Sequence, residues 1–305
     1  MITELKAKYS IKKLCEFLDM NRDSYYYTPT KAEIDKQLIQ DVKETFYHNK
    51  GAYGQKKLYK ALRKKGVSIG KEKLSEIMKQ ENLVSKYVMR RHSNSSQNAT
   101  NHDETGNKLG RKFSGRKALE VVASDLTYVD VNHKWHYLCL LIELSHREII
   151  GYSAGQNKDS ALVKAAWLTI KEDIRNICIF HTDRGSEFKN EEIDKILKVG
   201  NIERSLSNPG TPIDNAVCES MYDIVKTEFL FGEKFTDLAD LQAKLSAWVW
   251  WYNNERLHSS LGYQTPMESR KSCEIGVTEE KIANKKYQKF WKKVGVHGQK
   301  VCVDK

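Results

Sequence analysis

The chain has few of the residues that build small folds stabilised by metal ions or disulfide bonds. Its 305 residues include only four prolines and six cysteines. The cysteines form no C-x2-C pair and the nine histidines add no zinc-ligand spacing, which argues against a zinc site and a disulfide framework. Unpaired cysteines are typical of a reducing compartment. No apolar run reaches the roughly 18 residues that cross a membrane, so we expect a soluble cytoplasmic protein without a membrane partner.

Positive charge is concentrated at the two ends of the chain. The whole sequence carries a net charge of +11, but residues 1–118 have 26 basic against 13 acidic residues. Residues 119–273 have 17 against 23, a net charge of −6, and residues 274–305 have 8 against 4. A basic arm on an acidic body is typical of a protein that neutralises DNA phosphates with one part and uses carboxylates with another. A solvated lysine-rich face without a partner is the alternative.

Residues 1–88 are predicted to form a helical DNA-binding region. Residues 10–27 indicate two short helices, and the pattern is stronger between Tyr53 and Leu83, where two apolar stripes are separated by Gly66. Two helices joined by a glycine-containing turn are a helix-turn-helix candidate, although most helical hairpins bind no DNA. The basic residues predicted to contact DNA are Lys56, Lys57, Arg63, Lys64, Lys65, Lys71 and Lys73.

The rest of the chain predicts an α/β (α+β) fold with a mixed sheet. Residues 89–118 are polar and aperiodic, as expected of a linker. Within residues 119–272 the predicted strands are Leu119–Val131, Trp135–Leu144, Glu148–Ala154, the apolar run that ends before Asp183, and the run that begins at Ile202; the predicted helices are Lys158–Asp173 and Asn190–Val199, followed by mainly helical sequence beyond Thr211. The order βββαβαβ followed by α indicates a mixed sheet with helices on its faces.

Three acids in this part of the sequence lie at positions that suggest a site: within a strand, at a strand end and on a helix. Asp125 lies inside an apolar strand, where an unpartnered carboxylate would be costly. Asp183 ends a strand, and the carboxyl ends of strands are where open sheets bind ligands. Glu219 lies on a helix for which Asp214 and Asn215 are predicted capping groups near the site.

Three converging carboxylates would repel one another and raise at least one pKa unless cations kept them ionised. Carboxylate-only ligand sets favour Mg²⁺ or Mn²⁺. Two such ions about 4 Å apart can activate the attacking oxygen and stabilise the leaving oxygen of a phosphodiester. The sequence therefore predicts Asp125, Asp183 and Glu219 as both metal ligands and catalytic residues.

The spacing of these acids resembles that of the DDE transposases and retroviral-type integrases. There are 57 residues between Asp125 and Asp183 and 35 between Asp183 and Glu219. The stretches "SDLTYV", "HTDRGSEF", "PGTPIDNAVCES" and "WYNNERLHSSLGYQTPMES" are similar, in this order, to motifs of insertion-sequence transposases of the OrfB type, the IS-three family. Residues 41–85 resemble the helix-turn-helix segment of that family, and the resemblance covers residues 9 to 269.

The resemblance implies a ribonuclease-H-like core that performs metal-dependent DNA cleavage and strand transfer. It implies double-stranded DNA, both element ends and target, as substrate, a homo-oligomer on that DNA, and an upstream OrfA-type reading-frame product as partner. The setting is the bacterial cytoplasm, at the nucleoid when the protein is bound to DNA. It assigns Lys226 to DNA near the scissile end; an α-helix would place Lys226 on nearly the same face as Glu219. Asp223 shares that face and is the rival third ligand.

Two departures from the family pattern lie outside the three acids. Val122 and Ala123 occupy the place of a usual tryptophan before the first acid, and Glu143 occupies the place of an aspartate. Arg256 and His258 match a family motif but receive no physical role from the sequence. Residues 273–305 form a basic tail that matches nothing in the family. The alternative functions are a noncatalytic DNA-binding protein derived from such an element and a hydrolytic nuclease of the ribonuclease H type.

Overall fold

The computed structural model of the chain describes residues 10–18, 36–90, 116–208 and 216–273. The second short helix predicted within residues 10–27, most of the linker, and the basic tail after residue 273 lie outside these ranges. The predicted capping groups Asp214 and Asn215 also lie outside them. In the part of the chain that is described, no helix combines the length and apolar character needed to cross a bilayer.

The helical region comprises residues 10–18 and 36–90. Its helices are α1 (Ile11–Phe17), α2 (Lys36–His48), α3 (Gln55–Lys64), α4 (Lys71–Gln80) and α5 (Lys86–Met89). The predicted turn between α3 and α4 is present: Gly66 adopts a φ of +83°, a left-handed conformation that glycine tolerates without steric cost. The two predicted apolar stripes are buried, with Leu58 and Leu74 both inaccessible to solvent. Their burial holds the hairpin together.

The core, residues 116–208 and 216–273, is a mixed five-stranded sheet with helices. Its elements are β1 (Val121–Val131), β2 (Lys134–Glu143), β3 (Ile149–Gly155), α6 (Ser160–Trp167), β4 (Ile179–Thr182), α7 (Glu191–Gly200), β5 (Glu203–Leu206), α8 (Ala216–Ile224), a π-helix (Val225–Leu230) and α9 (Leu238–Asn254), followed by a helix at residues 266–273. The strand order is β3-β2-β1-β4-β5. The first three strands are antiparallel, whereas β4 and β5 run parallel to β1. This is the mixed sheet expected of a ribonuclease-H-like core.

Helices cover both faces of the sheet. On one face α8, the π-helix and α9 pack on the odd-numbered residues of β1 and the even-numbered residues of β2, with Trp248 and Tyr252 at the centre. On the other face α6 and α7 pack around Phe180 and Trp167. Burying each large apolar side chain contributes about 1.5–3 kcal/mol, so both layers stabilise the sheet that carries Asp125 and Asp183.

Two helices differ from the sequence prediction. The helix predicted for Lys158–Asp173 is much shorter, because the hydroxyl of Thr169 donates a hydrogen bond of 2.8 Å to the carbonyl of Ala166 and occupies an acceptor at the helix end. The helix that carries Glu219 changes to π-helical geometry at Val225. Residues 227–229 are consecutive and all buried, because this segment lies between the core and the helical region.

Candidate active site

Asp125 and Asp183 lie on neighbouring parallel strands at the same end of the sheet. Pairing between β1 and β4 ends at Ala123, Asp125 lies two residues farther along β1, and Asp183 directly follows β4. The carboxylate of Asp183 accepts a hydrogen bond of 3.0 Å from the backbone N–H of Gly185, and that of Asp125 accepts one of 2.7 Å from Leu126. The structure thus brings together the first two predicted acids.

The two aspartates share an electrostatically unfavourable environment. Burial, and next the charge of Asp183, raises the pKa of Asp125 to about 7. Burial also raises the pKa of Asp183, with a further contribution from the charge of Glu187. A low-dielectric setting with several negative groups favours protonated carboxyls unless a cation compensates their charge. The arrangement is therefore suited to holding a cation.

Glu187 is the acid that sequence reasoning missed. Its side chain is only 5% exposed and its carboxylate lies 2.9 Å from the ammonium of Lys158, which precedes α6. Gly185 makes room for it, since a Cβ atom on Gly185 would overlap the Glu187 carboxylate. Its charge contributes to the raised pKa values of both Asp125 and Asp183. The available signal was an acid four residues after Asp183, within the same quoted motif.

Lys158 is the cation that faces this acidic cluster. Burial alone would lower the pKa of Lys158, but the hydrogen bond and charge of Glu187 and the charges of the two aspartates raise it overall. The ammonium therefore stays protonated and partly offsets the negative charge of Asp125, Asp183 and Glu187.

Glu219 does not join the two aspartates in this structure. It lies in the first turn of α8 with its side chain exposed, whereas the preceding residue, Cys218, is fully buried in the core between α8 and the sheet. Over the described ranges, no three His, Cys, Asp or Glu side chains are grouped closely enough to hold one metal ion. The predicted triad is thus present as a close pair with the third member apart.

Helix α8 is fixed over β1 and β2 by Tyr222. Its buried hydroxyl donates a hydrogen bond to the carbonyl of Asp125 and accepts one of 3.1 Å from the N–H of Leu140. Burial raises the pKa of Tyr222, so the phenol remains a donor. One side chain therefore ties the helix that carries Glu219 to the strand that carries Asp125.

Asp223 and Lys226 are both engaged within the protein. The carboxylate of Asp223, the rival third ligand, lies 2.7 Å from the guanidinium of Arg90. The ammonium of Lys226 lies 6.0 Å from the ring centroid of Tyr128 on β1. Because Lys226 is inside the π-helix, the regular α-helical spacing that relates it to Glu219 in the sequence prediction does not hold.

A buried ion pair explains Arg256 and His258. The guanidinium of Arg256 donates two hydrogen bonds of 2.6 Å to Glu228 of the π-helix, and both side chains are at most 2% exposed. Tyr87 of the helical region donates a further bond of 2.6 Å to Glu228. Burial, and next the charge of Arg256, lowers the pKa of His258 to about 2, so neutral His258 accepts a bond of 2.8 Å from Arg256. This network joins the helical region to the core.

The predicted DNA-contacting residues of the helical region divide into two groups. Lys57 is turned inward: burial, and next the charge of Arg256, lowers its pKa to about 8. Six are on the outside or partly so: Lys56, Arg63, Lys64, Lys65, Lys71 and Lys73. Of these, Lys64 lies 2.5 Å from Glu268 and Lys65 lies 3.2 Å from the hydroxyl of Thr45. The outer face of α3 therefore presents its cations to solvent, whereas Lys57 on the inner face lies against the protein.

The side chain of Glu143, at a position where the resemblance implies an aspartate, is held by backbone hydrogen bonds. Its buried carboxylate accepts backbone hydrogen bonds of 2.7 Å from Ser145 and His146 and one of 3.3 Å from Leu119. These bonds hold the turn between β2 and β3. The contacts of Glu143 therefore lie at this turn, with the backbone of Leu119, Ser145 and His146.

Comparison with known proteins finds three family matches along the chain. The family described as "Integrase core domain" matches residues 115–212, which include Asp125 and Asp183, and a second family with the same description matches residues 201–266, which include Glu219. The family described as "HTH-like domain" matches residues 33–92.

Among curated proteins, the transposase for insertion sequence element IS904 of Lactococcus lactis is 25% identical over 80% of this chain and 97% of its own length. Transposase InsF for insertion sequence IS3A of Escherichia coli is 28% identical over 87% of this chain and 95% of its own. Among solved structures, the catalytic core domain of BIV integrase is 17% identical, with a TM-score of 0.40, over 52% of this chain and 99% of that one. A simian T-cell lymphotropic virus intasome gives 16% identity and a TM-score of 0.44 over 75% and 74%.

Proposed function

Since this chain belongs to the insertion-sequence transposases with an integrase core, we propose that Asp125, Asp183 and Glu219 are the acids of its DNA strand transfer reaction. The observation that carries the assignment is the partly buried pair formed by Asp125, just beyond the end of the pairing between β1 and β4, and Asp183, directly after β4. Glu219 is the proposed third acid, and its carboxylate must turn toward the pair from its exposed position on α8.

The proposed metal is Mg²⁺ or Mn²⁺, in two ions. The donors at the site are carboxylate oxygens, which suit these hard cations, and the raised pKa of Asp125 marks a place where added positive charge would be favourable. Asp125 and Asp183 would hold the ions, together with Glu219. When bound, the ions would activate the attacking oxygen and stabilise the leaving oxygen of the phosphodiester.

The reaction is phosphoryl transfer in two stages. A water oxygen attacks a backbone phosphate at the element end, and the bond from phosphorus to the 3′ oxygen breaks to leave a 3′-hydroxyl. That hydroxyl then attacks a target phosphate, and the bond from phosphorus to the target's own 3′ oxygen breaks, so that the strands are joined and a 3′-hydroxyl is left on the target strand. The protein positions the phosphate between the sheet edge and α8, while Lys226 provides a cation for a neighbouring phosphate.

The helical region is the proposed duplex-binding part. The cations on the outside of α3, α4 and the turn between them can neutralise phosphates, and these are Lys56, Arg63, Lys64, Lys65, Lys71 and the partly exposed Lys73. We leave the inward-facing Lys57 out of this set. The proposed assembly is a homo-oligomer on element ends and target, aided by an upstream OrfA-type product. Acting on DNA places the protein in the bacterial cytoplasm, at the nucleoid.

The test is nicking and strand transfer on supercoiled plasmid with Mg²⁺ and an element-end oligonucleotide. Asp125→Asn, Asp183→Asn and Glu219→Gln should each reduce both activities to background, because each removes a metal ligand. The matched control is Asp130→Asn, which neutralises an exposed acid on the same strand and should retain activity. Mg²⁺ should also raise the melting temperature of the wild type, but not that of the Asp125→Asn and Asp183→Asn double variant.

Two results would contradict this assignment. A lost cooperative melt in all three acid variants would show that the side chains support folding rather than chemistry. Equal loss of activity in Asp130→Asn would show that acidic charge in general, rather than these three carboxylates, controls the reaction. A wild type that binds DNA but neither nicks nor joins it would favour the noncatalytic alternative, and one that nicks without joining would favour the nuclease.

A further inference from the structure

Two large aromatic side chains lie exposed on the ribbon formed by β1 and β2. Tyr128 is 57% exposed and Trp135 is 61% exposed, although side chains of this size are usually buried. Tyr128 pairs with Tyr137 and Trp135 pairs with Asp130, so the two rings share one face of the ribbon as diagonal neighbours. Their centroids are 5.1 Å apart with the ring planes at 86°. We call these two residues the aromatic pair.

The aromatic pair is close to the proposed cleavage site. Tyr128 follows Asp125 by three residues, which is about 10 Å along an extended strand. Pairing with β4 ends at Ala123, so the edge of β1 is free of β4 along both Asp125 and Tyr128. Side chains alternate between the two faces of a strand, so Asp125 points to the face covered by α8 and Tyr128 points to the other face. A DNA strand whose phosphate is held at Asp125 can place a neighbouring base beside Tyr128 by crossing this free edge, as the side chain of Lys226 does when it reaches within 6.0 Å of the Tyr128 ring from the π-helix.

A cation completes the surface. The ammonium of Lys226 lies 6.0 Å from the centre of the Tyr128 ring. Aromatic rings beside a cation are the combination with which proteins bind single-stranded DNA, because the rings stack on bases and the cation pairs with the backbone. Base faces inside a duplex are already stacked on one another, so the rings can stack only on bases that have become unpaired.

We propose that Tyr128 and Trp135 form a stacking platform for an unpaired base of the DNA strand next to the phosphate that is cut. The proposal rests on the proposed function, because the DNA end must lie at Asp125. In this proposal the aromatic pair holds a frayed strand end, whereas the helical region binds the duplex.

The test compares the binding of the full-length chain to a blunt duplex and to the same duplex with a short unpaired 3′ tail, with EDTA present so that no strand is cut. Trp135→Ala should weaken binding to the tailed duplex by about ten-fold, since stacking contributes about 1–3 kcal/mol per base. Binding to the blunt duplex should change less than about two-fold. The matched control is Trp250→Ala, which removes an equally exposed tryptophan, 59%, from α9 and should change neither affinity.

A spectroscopic measurement makes the test independent of affinity. The tailed duplex should quench tryptophan emission of the wild type, and Trp135→Phe should lose that quenching while the Trp250→Phe control keeps it. Should Trp135→Ala lower the melting temperature, Tyr128→Leu replaces it as the affinity variant.

The outcomes separate this proposal from the proposed function. A wild type that binds neither duplex contradicts DNA strand transfer itself. Equal affinities of wild type and Trp135→Ala for the tailed duplex, or equal losses on both duplexes, overturn the stacking platform alone. A change of oligomeric state in Trp135→Ala, seen by sedimentation and without loss on the tailed duplex, would identify the aromatic pair as a contact between copies of the chain and would also overturn the platform.

Discussion

One methyl group at residue 185 is enough to disturb the candidate active site. Gly185 donates its N–H to Asp183 while its Cα lies against the carboxylate of Glu187. A side chain at this position would push Glu187 away from Lys158 or shift the loop that carries Asp183. The spacing between Asp183, Gly185 and Glu187 therefore has a steric reason.

We predict that Gly185→Ala lowers the free energy of unfolding by about 1–3 kcal/mol, as expected of overpacking. Glu187→Ala removes the carboxylate that the new methyl group would meet, so the double variant should lose less than the sum of the two single losses. Urea denaturation of the four proteins measures this coupling. Strict additivity would show that the methyl group and the Glu187 carboxylate do not meet.

The contribution of Asp125 to the stability of the metal-free protein should fall as the pH rises from about 4 to 7. The folded state raises the pKa of Asp125 to about 7, above its ordinary value of 3.8, so the unfolded chain loses this proton first. Between these values the folded state binds more protons, and one group changes the free energy of unfolding by up to about 1.4 kcal/mol per pH unit. Urea denaturation in EDTA across this range should show the free energy of unfolding of the wild type falling relative to that of Asp125→Asn as the pH rises. An identical pH dependence in the two proteins would show that the pKa of Asp125 is the same in the folded and the unfolded chain.

At the scale of elements, α3 has two faces with different tasks. Its outer face carries exposed Lys56 and Arg63, whereas Lys57 points toward Arg256 and the ring of Tyr53. Charge on the outer face can meet DNA phosphates, and charge on the inner face cannot. The net charge of the sequence does not distinguish these faces.

Replacing Lys56 and Arg63 together by alanine should reduce the slope of log affinity for duplex DNA against log salt by about 0.9 for each phosphate that the variant no longer neutralises. Lys57→Met, the matched control on the inner face of the same helix, should leave the slope unchanged. Gel shifts across a salt series provide the measurement. Equal slopes in the wild type, the double variant and Lys57→Met would show that the outer face of α3 does not contact DNA phosphates.

The sequence predicted the strands and most helices well, but it predicted few of the contacts between them. Alternating and apolar runs predicted all five strands, with Asp125 inside one strand and Asp183 at the end of another. The pairing of β1 with β4, which brings the two acids together, was not predicted, because it depends on contacts between distant parts of the chain. The π-helix could not be predicted, because its apolar pattern is also compatible with an α-helix. Burial of Glu228 depends on Tyr87 and Arg256, which are far away in the chain. The placement of Glu219 apart from the aspartates likewise had no local signal.

At the scale of the whole molecule, specific recognition of element ends is a separate question from duplex binding. The exposed cations of α3 and α4 suit contacts to phosphates, which carry no sequence information. We predict that this chain alone binds duplex DNA with little preference for terminal repeats and gains specificity with the upstream OrfA-type product. A competition gel shift at physiological salt, terminal-repeat duplex against scrambled duplex, measures this preference. A strong preference by the chain alone would assign sequence reading to the helical region.

The network around Glu228 should make the helical region and the core interdependent. Glu228→Gln would leave the guanidinium of Arg256 buried without its counter-charge, so the free energy of unfolding should fall by about 3–5 kcal/mol. The matched control, Glu233→Gln, neutralises an exposed acid five residues later and should change it by less than about 0.5 kcal/mol. Urea denaturation compares the two. Similar small losses would mean that the pair is solvated.

The same network restricts how such a protein can be recombined with others. Tyr87, Glu228 and Arg256 come from three separate stretches of the chain, and their bonds are enclosed between two parts that family comparison treats as separate modules. A foreign DNA-binding module grafted before the linker would have to provide a hydroxyl donor in place of Tyr87 and enough cover to keep water from the ion pair. Exchange of the whole module should therefore change DNA specificity more rarely than substitutions on the outer face of α3 do. Such substitutions leave the network of Tyr87, Glu228 and Arg256 intact.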